Sequence, residues 1–176
     1  MFFLRVILMR AQFNVDLCVI NPFILTGVQF SWENIGIKTR VDKNKRYFFD
    51  PIRKKYLMCT PEEEVRQFLI YELCNQFGYP INTIAVEREI KYNGLKKRFD
   101  VLVYKDSKPI LLIECKAPKV PLTNLVFEQV SAYNHVIDVP YLLVSNGNTT
   151  IVAHIDTSTK MIDFLKDIPE YHSLHF

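Results

Sequence analysis

Apolar and polar positions follow two different periods along this chain. Between residues 61 and 77 the apolar side chains Val65, Phe68, Leu69 and Leu73 recur three and four positions apart, as on one face of a helix. Thr60 stands before them as a cap, Pro61 suits the first helical position, and Glu62, Glu63 and Glu64 suit the positive end of the helix dipole. Gly78 and Pro80 end the helix. The period then changes. Residues 84–92 (IAVEREIKY), 97–104 and 109–116 read as strands, with Asn93-Gly94 a hairpin turn between the first two. The run from 110 to 113 is continuously apolar, which predicts a strand buried on both faces. Pro118 and Pro121 break the chain, and a second helix is predicted over 122–137 with Leu125, Val126, Val130 and Tyr133 as its buried stripe. Strands follow over 140–146 and 150–156, then a short final helix over 159–167 around Met161, Phe164 and Leu165. Upstream, residues 31–59 alternate around a polar interruption at 42–46, which predicts a small hairpin.

Composition bounds this pattern. A length of 176 residues suits one domain with a small appendage, and 49% apolar content is ample for a core. We expect an apolar N-terminal extension over 1–34 and a single domain over 35–176. Arg5, Arg10 and Asp16 interrupt the extension, so no run reaches the length of a membrane span. Cys18, Cys59, Cys74 and Cys115 form no CxxC pair and no disulfide framework, which fits a reducing cytoplasm. The four histidines have no metal-ligand spacing. A net charge of +3 permits nucleic-acid binding without arguing for it. No GxxxxGK[ST] loop is present, so the chain by itself is no ATP-driven translocase.

Three ionisable side chains stand out against the apolar strands. Asp100 opens one strand of RFDVLVYKDSKPILLIECKAP, and Glu114-Cys115-Lys116 closes the next. Strand residues alternate faces, so Glu114 and Lys116 are neighbours and Cys115 points away. Charges at the end of a buried strand are costly unless they are paired or bind a metal. A turn from 105 to 109 would return Asp100 to Glu114. Two carboxylates and a lysine gathered there suit a divalent cation and a phosphodiester.

This pattern resembles the PD-(D/E)xK nuclease superfamily, with Phe99 in place of the motif's proline. The order helix, three strands, helix, strand agrees with that superfamily's αβββαβ core, so the expected fold is α/β, restriction-endonuclease-like, with a mixed central sheet flanked by helices. The segments TPEEEVRQFLIYELCNQFGYP, VEREIKYNGLKKRFDVLVY, LLIECKAPKV and FEQVSAYN are similar to the N-terminal nuclease domain of type I restriction enzyme R subunits, and in particular to short stand-alone proteins carrying only that domain. Where that family has an aromatic residue after two glutamates, this chain has Glu64.

The resemblance implies roles. Asp100 and Glu114 would ligate Mg²⁺ or Mn²⁺, with the Cys115 carbonyl as a further oxygen and Glu63 as an additional carboxylate. Lys116 would orient or help deprotonate the attacking water and offset phosphate charge. Gln129 and Tyr133, four apart on one helix face, would hydrogen-bond the substrate. Independently of the resemblance, the basic cluster before Asp100 offers Lys97 and Arg98 to contact the substrate backbone. The implied activity is Mg²⁺-dependent hydrolysis of DNA phosphodiesters, as endonuclease or exonuclease, in a restriction-modification setting. Its expected partners are DNA and either a second copy of the chain or separate motor and specificity subunits, with no membrane. The competing reading is a non-catalytic nucleic-acid-binding or assembly module that retains the nuclease fold.

Overall fold

The computed structural model describes residues 37–92, 95–123, 126, 130–131, 134, 137–156, 158–159 and 161–176; for 90–92 and 95–97 it describes the backbone alone. The expected N-terminal extension lies outside these residues.

A small antiparallel meander comes first: β1 (Thr39–Asp42), β2 (Lys45–Asp50) and β3 (Lys55–Met58), in that order across the sheet. The expected hairpin is thus a three-stranded unit. Lys43 and Asn44 both take positive φ, 46° and 61°, as a two-residue hairpin turn requires. Helix α1 (Pro61–Asn75) follows, with its Thr60 hydroxyl accepting the Glu63 N–H at 3.2 Å. Gly78, at φ 69°, turns the chain out of it.

The main sheet has six strands in the order β11-β10-β9-β8-β7-β4. Its members are β4 (Ile84–Val86), β7 (Val101–Lys105), β8 (Lys108–Cys115), β9 (Tyr141–Ser145), β10 (Thr150–Ile155) and β11 (Ile162–Leu165). β8 and β9 run parallel while the other neighbours run antiparallel, so the sheet is mixed, as expected. Of the crossover between β8 and β9, the described residues 126, 130, 131, 134 and 137 are helical, where the second helix is predicted. The helix, three strands, helix, strand order is therefore present. Asp106 and Ser107, at φ 50° and 63°, make the tight turn that joins β7 to β8.

Two predicted elements differ from the structure. The final helix over 159–167 is instead β11, because Ile162 and Phe164 alternate with exposed Asp163 and pack toward the sheet. The long strands over 84–92 and 97–104 are each broken. A separate ribbon, β5 (Glu89–Tyr92) paired with β6 (Leu95–Arg98), continues beyond the β4–β7 pair. The break sits at Glu87, whose φ of 51° reverses the local backbone, and directly across from it at Asp100. The Glu87 N–H donates to the Asp100 carbonyl at 3.1 Å and carries the pairing over the joint.

The core has two apolar layers, one on each face of the sheet. Val65, Leu69 and Leu73 of α1 pack with Val101, Leu111, Ile113 and Cys115. Leu102, Leu112, Leu142 and Val144 pack on the other face with Val130 of the crossover. The central strand β8 is thus covered on both sides, and Ile110–Ile113 is almost wholly removed from water. No helix among the described residues is long and apolar enough to cross a membrane.

Candidate active site

Three expected residues meet where β7 begins and β8 ends. Asp100 lies just before the first residue of β7, and the register pairs Val101 with Ile113, so it falls across from the Glu114–Lys116 segment. The Cys115 N–H donates to Asp100 Oδ2 at 2.7 Å, and Lys116 Nζ donates to Glu114 Oε1 at 2.7 Å. The Lys116 N–H donates to the Ser145 carbonyl at 2.8 Å, which fixes the end of β8 against β9. The side chains of all three acidic and basic residues are less than 20% exposed.

The electrostatics follow from this packing. Burial raises the Glu114 carboxyl, and the negative charge of Asp100 raises it further, against the hydrogen bond and charge of Lys116. Burial likewise raises Asp100, against the Cys115 N–H and the charges of Arg66 and Lys116. Burial disfavours the charged form of Lys116, but the hydrogen bond and field of Glu114, with Asp100 and Glu62, outweigh it and leave the ammonium above its ordinary value. Lys116 is therefore a fixed positive charge at neutral pH, suited to a phosphate and unsuited to taking a proton. The Cys115 thiol is fully buried and pushed well up, so this cysteine contributes its backbone and not its sulfur.

Glu63, expected as an additional carboxylate, is held in a network of donors. Its carboxylate accepts from Arg53 Nη2 at 2.9 Å and Gln67 Nε2 at 2.8 Å, and Arg66 Nη2 closes on its other oxygen. Both oxygens are occupied by donors. The exposed neighbour Glu62 is the helical glutamate whose charge reaches Glu114, Cys115 and Lys116.

Sequence reasoning missed the network in which Glu63 sits. Asp50 is fully buried and accepts from Arg53 Nε at 2.5 Å and Gln67 Nε2 at 3.0 Å. Glu87 takes Arg66 and, at 3.0 Å, Arg98. Burial works against the Glu87 charge, yet Arg66, Arg98 and Arg53 overcome it and hold the carboxyl below its usual range. Arg66 Nη1 lies 3.7 Å from Asp100 Oδ1, so the network ends at the candidate site. Arg98, expected on a substrate backbone, is half of the Glu87 pair while its side chain remains 63% exposed. Lys97 lies on β6 and only its backbone is described, and Gln129 and Tyr133 fall outside the described residues.

Asp100 and Glu114 offer hard oxygen donors of the kind Mg²⁺ takes, one or two carboxylates with water and phosphate completing the shell. Among the described residues no group of three or more His, Cys, Asp or Glu side chains is arranged to hold a metal ion. A cation here would rest on those two carboxylates.

Residues 61–169 match the family described as type I restriction enzyme R protein N terminus (HSDR_N). A comparison with curated proteins gave no match. Among solved structures, the chain is similar to a fragment described as an HsdR subunit of a type I restriction enzyme from Vibrio vulnificus YJ016, at 20% identity and a TM-score of 0.48. That similarity covers 64% of this chain and 24% of the Vibrio chain.

Proposed function

Because the chain belongs to the family of type I restriction enzyme R protein N-termini, we propose that it is a Mg²⁺-dependent nuclease that hydrolyses DNA phosphodiester bonds at Asp100, Glu114 and Lys116. One observation carries this reading. Two mutually repelling carboxylates, both raised by burial, meet at a strand end beside a lysine that stays charged. Such a site is unfavourable for a protein to build and is relieved by a divalent cation. The family supplies the restriction-related nuclease context, in which DNA and separate motor and specificity subunits are the partners.

Asp100 and Glu114 would hold the cation. When bound, Mg²⁺ supplies Lewis acidity toward phosphate oxygens and lowers the pKa of coordinated water. The Cys115 N–H holds Asp100 through Oδ2, while Oδ1 lies 3.7 Å from Arg66 Nη1. Lys116 offsets the charge that builds on the phosphate as water attacks phosphorus and the bridging P–O bond breaks. The fixed charge favours phosphate neutralisation and water orientation over proton abstraction as the lysine's role.

The test is cleavage of a DNA panel (linear duplex, single strand, supercoiled plasmid, branched junction) with Mg²⁺ or Mn²⁺, and with EDTA as control. We expect metal-dependent products from wild type, none from Glu114→Ala, and strongly slowed cleavage from Lys116→Ala. Thermal melting gives a second readout: Mg²⁺ should raise the wild-type midpoint and leave Glu114→Ala unchanged. A folded wild type that binds DNA, shows no metal-induced shift and yields no product would replace this reading with the non-catalytic binding module.

A further inference from the structure

We infer that the outward face of the β1–β3 meander is a second nucleic-acid contact, a platform for the DNA phosphate backbone beside the catalytic centre. The inference rests on the reading above that DNA is the substrate. Its first support is charge. Residues 38–55 hold eight Lys and Arg against two Asp, in a chain whose totals are 22 against 19, so the positive charge is concentrated here and the remainder is acidic. One of the two acids, Asp50, is buried and bonded to Arg53, and so does not offset the surface.

The register supplies the second support. Phe48 and Asp50 are fully buried and define the inward face. Pairings of Arg40 with Tyr47 and of Asp42 with Lys45 therefore place Arg40, Lys45, Tyr47 and the single exposed acid Asp42 outward, and Tyr56 joins them through its pairing with Phe49. The Arg40 guanidinium lies 4.3 Å from the Tyr56 ring centroid and 5.3 Å from that of Tyr47. A guanidinium fixed over aromatic rings on an exposed sheet face is pre-positioned for the phosphates of a polyanion.

Position supplies the third. Arg53, in the β2–β3 turn, bonds both Asp50 and Glu63, and Arg66 on the far side of Glu63 reaches Asp100. A strand held on the meander is thereby tied, through side chains, to the end of the sheet where cleavage is proposed. The meander lies just before the matched residues 61–169, next to the helix that opens them.

The test is anisotropy of a labelled 20-base-pair duplex, and of a single strand of the same length, in EDTA across 50–200 mM salt. Arg40→Gln/Lys43→Gln/Lys45→Gln should weaken binding about tenfold or more and flatten the slope of log K against log salt by about 2.7, at roughly 0.9 per lost phosphate contact. All three substituted residues are exposed, so the triple variant should melt with wild type. Should it melt early, the single variant Lys45→Glu gives the same comparison. Wild-type affinity and slope in a folded variant would overturn the platform, even with cleavage intact. Binding lost in the triple variant, with no cleavage by wild type, would instead sustain the platform and remove the nuclease. A wild type that binds neither probe overturns the platform as well.

Discussion

Lys116 Nζ and Glu114 Oε1 are 2.7 Å apart at the end of the strand that crosses the middle of the sheet. The pair is closed, and the glutamate's hydrogen bond and charge hold the lysine's ammonium above its ordinary value against burial. Removing either partner changes the other. Lys116→Ala should lower the cleavage rate by about 10²-fold or more, the scale seen when one charge-stabilising donor is lost. It should also push the Glu114 carboxyl further up, since burial and Asp100 would act with less opposition. Single-turnover rates at several Mg²⁺ concentrations check both effects: the variant should be slow even at saturating metal and should need more metal to saturate.

The raised carboxyls give a pH dependence with a definite sign. A carboxyl whose folded pKa exceeds its unfolded value binds protons more tightly in the native state, so it costs stability once ionised. The cost from Asp100 and Glu114 is absent below the ordinary carboxylate range and fully present above their raised values. Metal-free stability contributed by these two groups should fall as pH rises through that window, while cleavage should rise through it as protons leave the proposed ligands. Glu114→Gln keeps an oxygen for Lys116 and removes the charge. It should melt higher than wild type at neutral pH without metal, on the order of 2–4 °C for a gain of about 1 kcal/mol, and should cut nothing. Calorimetry in EDTA reads the first expectation, and a lower melting point in the variant would refute it.

Arg66 should behave as a positioning residue. It is buried, bonds Glu63 and Glu87, and approaches Asp100, while its Nε finds no partner. Arg66→Met strands those carboxylates, which for a buried pair costs about 3–5 kcal/mol. Arg66→Lys cannot span them, because one ammonium does not reproduce a planar fork. Urea denaturation should place both variants well below wild type, with Met the lower. In whatever fraction folds, the Mg²⁺ needed for half-maximal cleavage should shift, since Asp100 loses a neighbouring positive charge.

The adjacent glutamates Glu62 and Glu63 separate function from stability. Glu63→Gln breaks a carboxylate bonded by two arginines and should cost about 3 kcal/mol, with little effect on the metal requirement of the surviving fold. Glu62→Gln should leave stability unchanged and shift the metal requirement, because its charge acts on Glu114 and Lys116 from an exposed position. A melting curve and a Mg²⁺ titration for each variant suffice, and the reverse pattern would restore Glu63 to the metal side.

The Asp100, Glu114 and Lys116 constellation was legible because alternation on strands is strict and β8 is apolar on both faces. Helix α1 was legible because its cap, its first-turn proline and its apolar spacing agree. The position of Glu63 was not. Its partners Arg53 and Gln67 come from a turn before the helix and from the next helical turn, and a carboxylate four residues from a glutamine looks the same in sequence whether it faces water or an arginine. β11 was misread because four residues carry too little period to tell a short strand from a helical turn, and its pairing with β10 decided the outcome. The break at Glu87 left no signal either, since a glutamate at positive φ is held there by tertiary bonds to arginines.

Asp50 has no exposed surface, and its partner Gln67 lies inside the matched segment while Asp50 itself lies before it. The edge of the matched segment is therefore not the edge of the bonded network. A fragment trimmed to begin at Pro61 would keep every residue of the proposed centre and lose the counter-ion that Arg53 brings to Glu63. It would enter solution with a glutamate and a glutamine facing an opened cleft, and any inactivity it showed would report on the scissors used to make it.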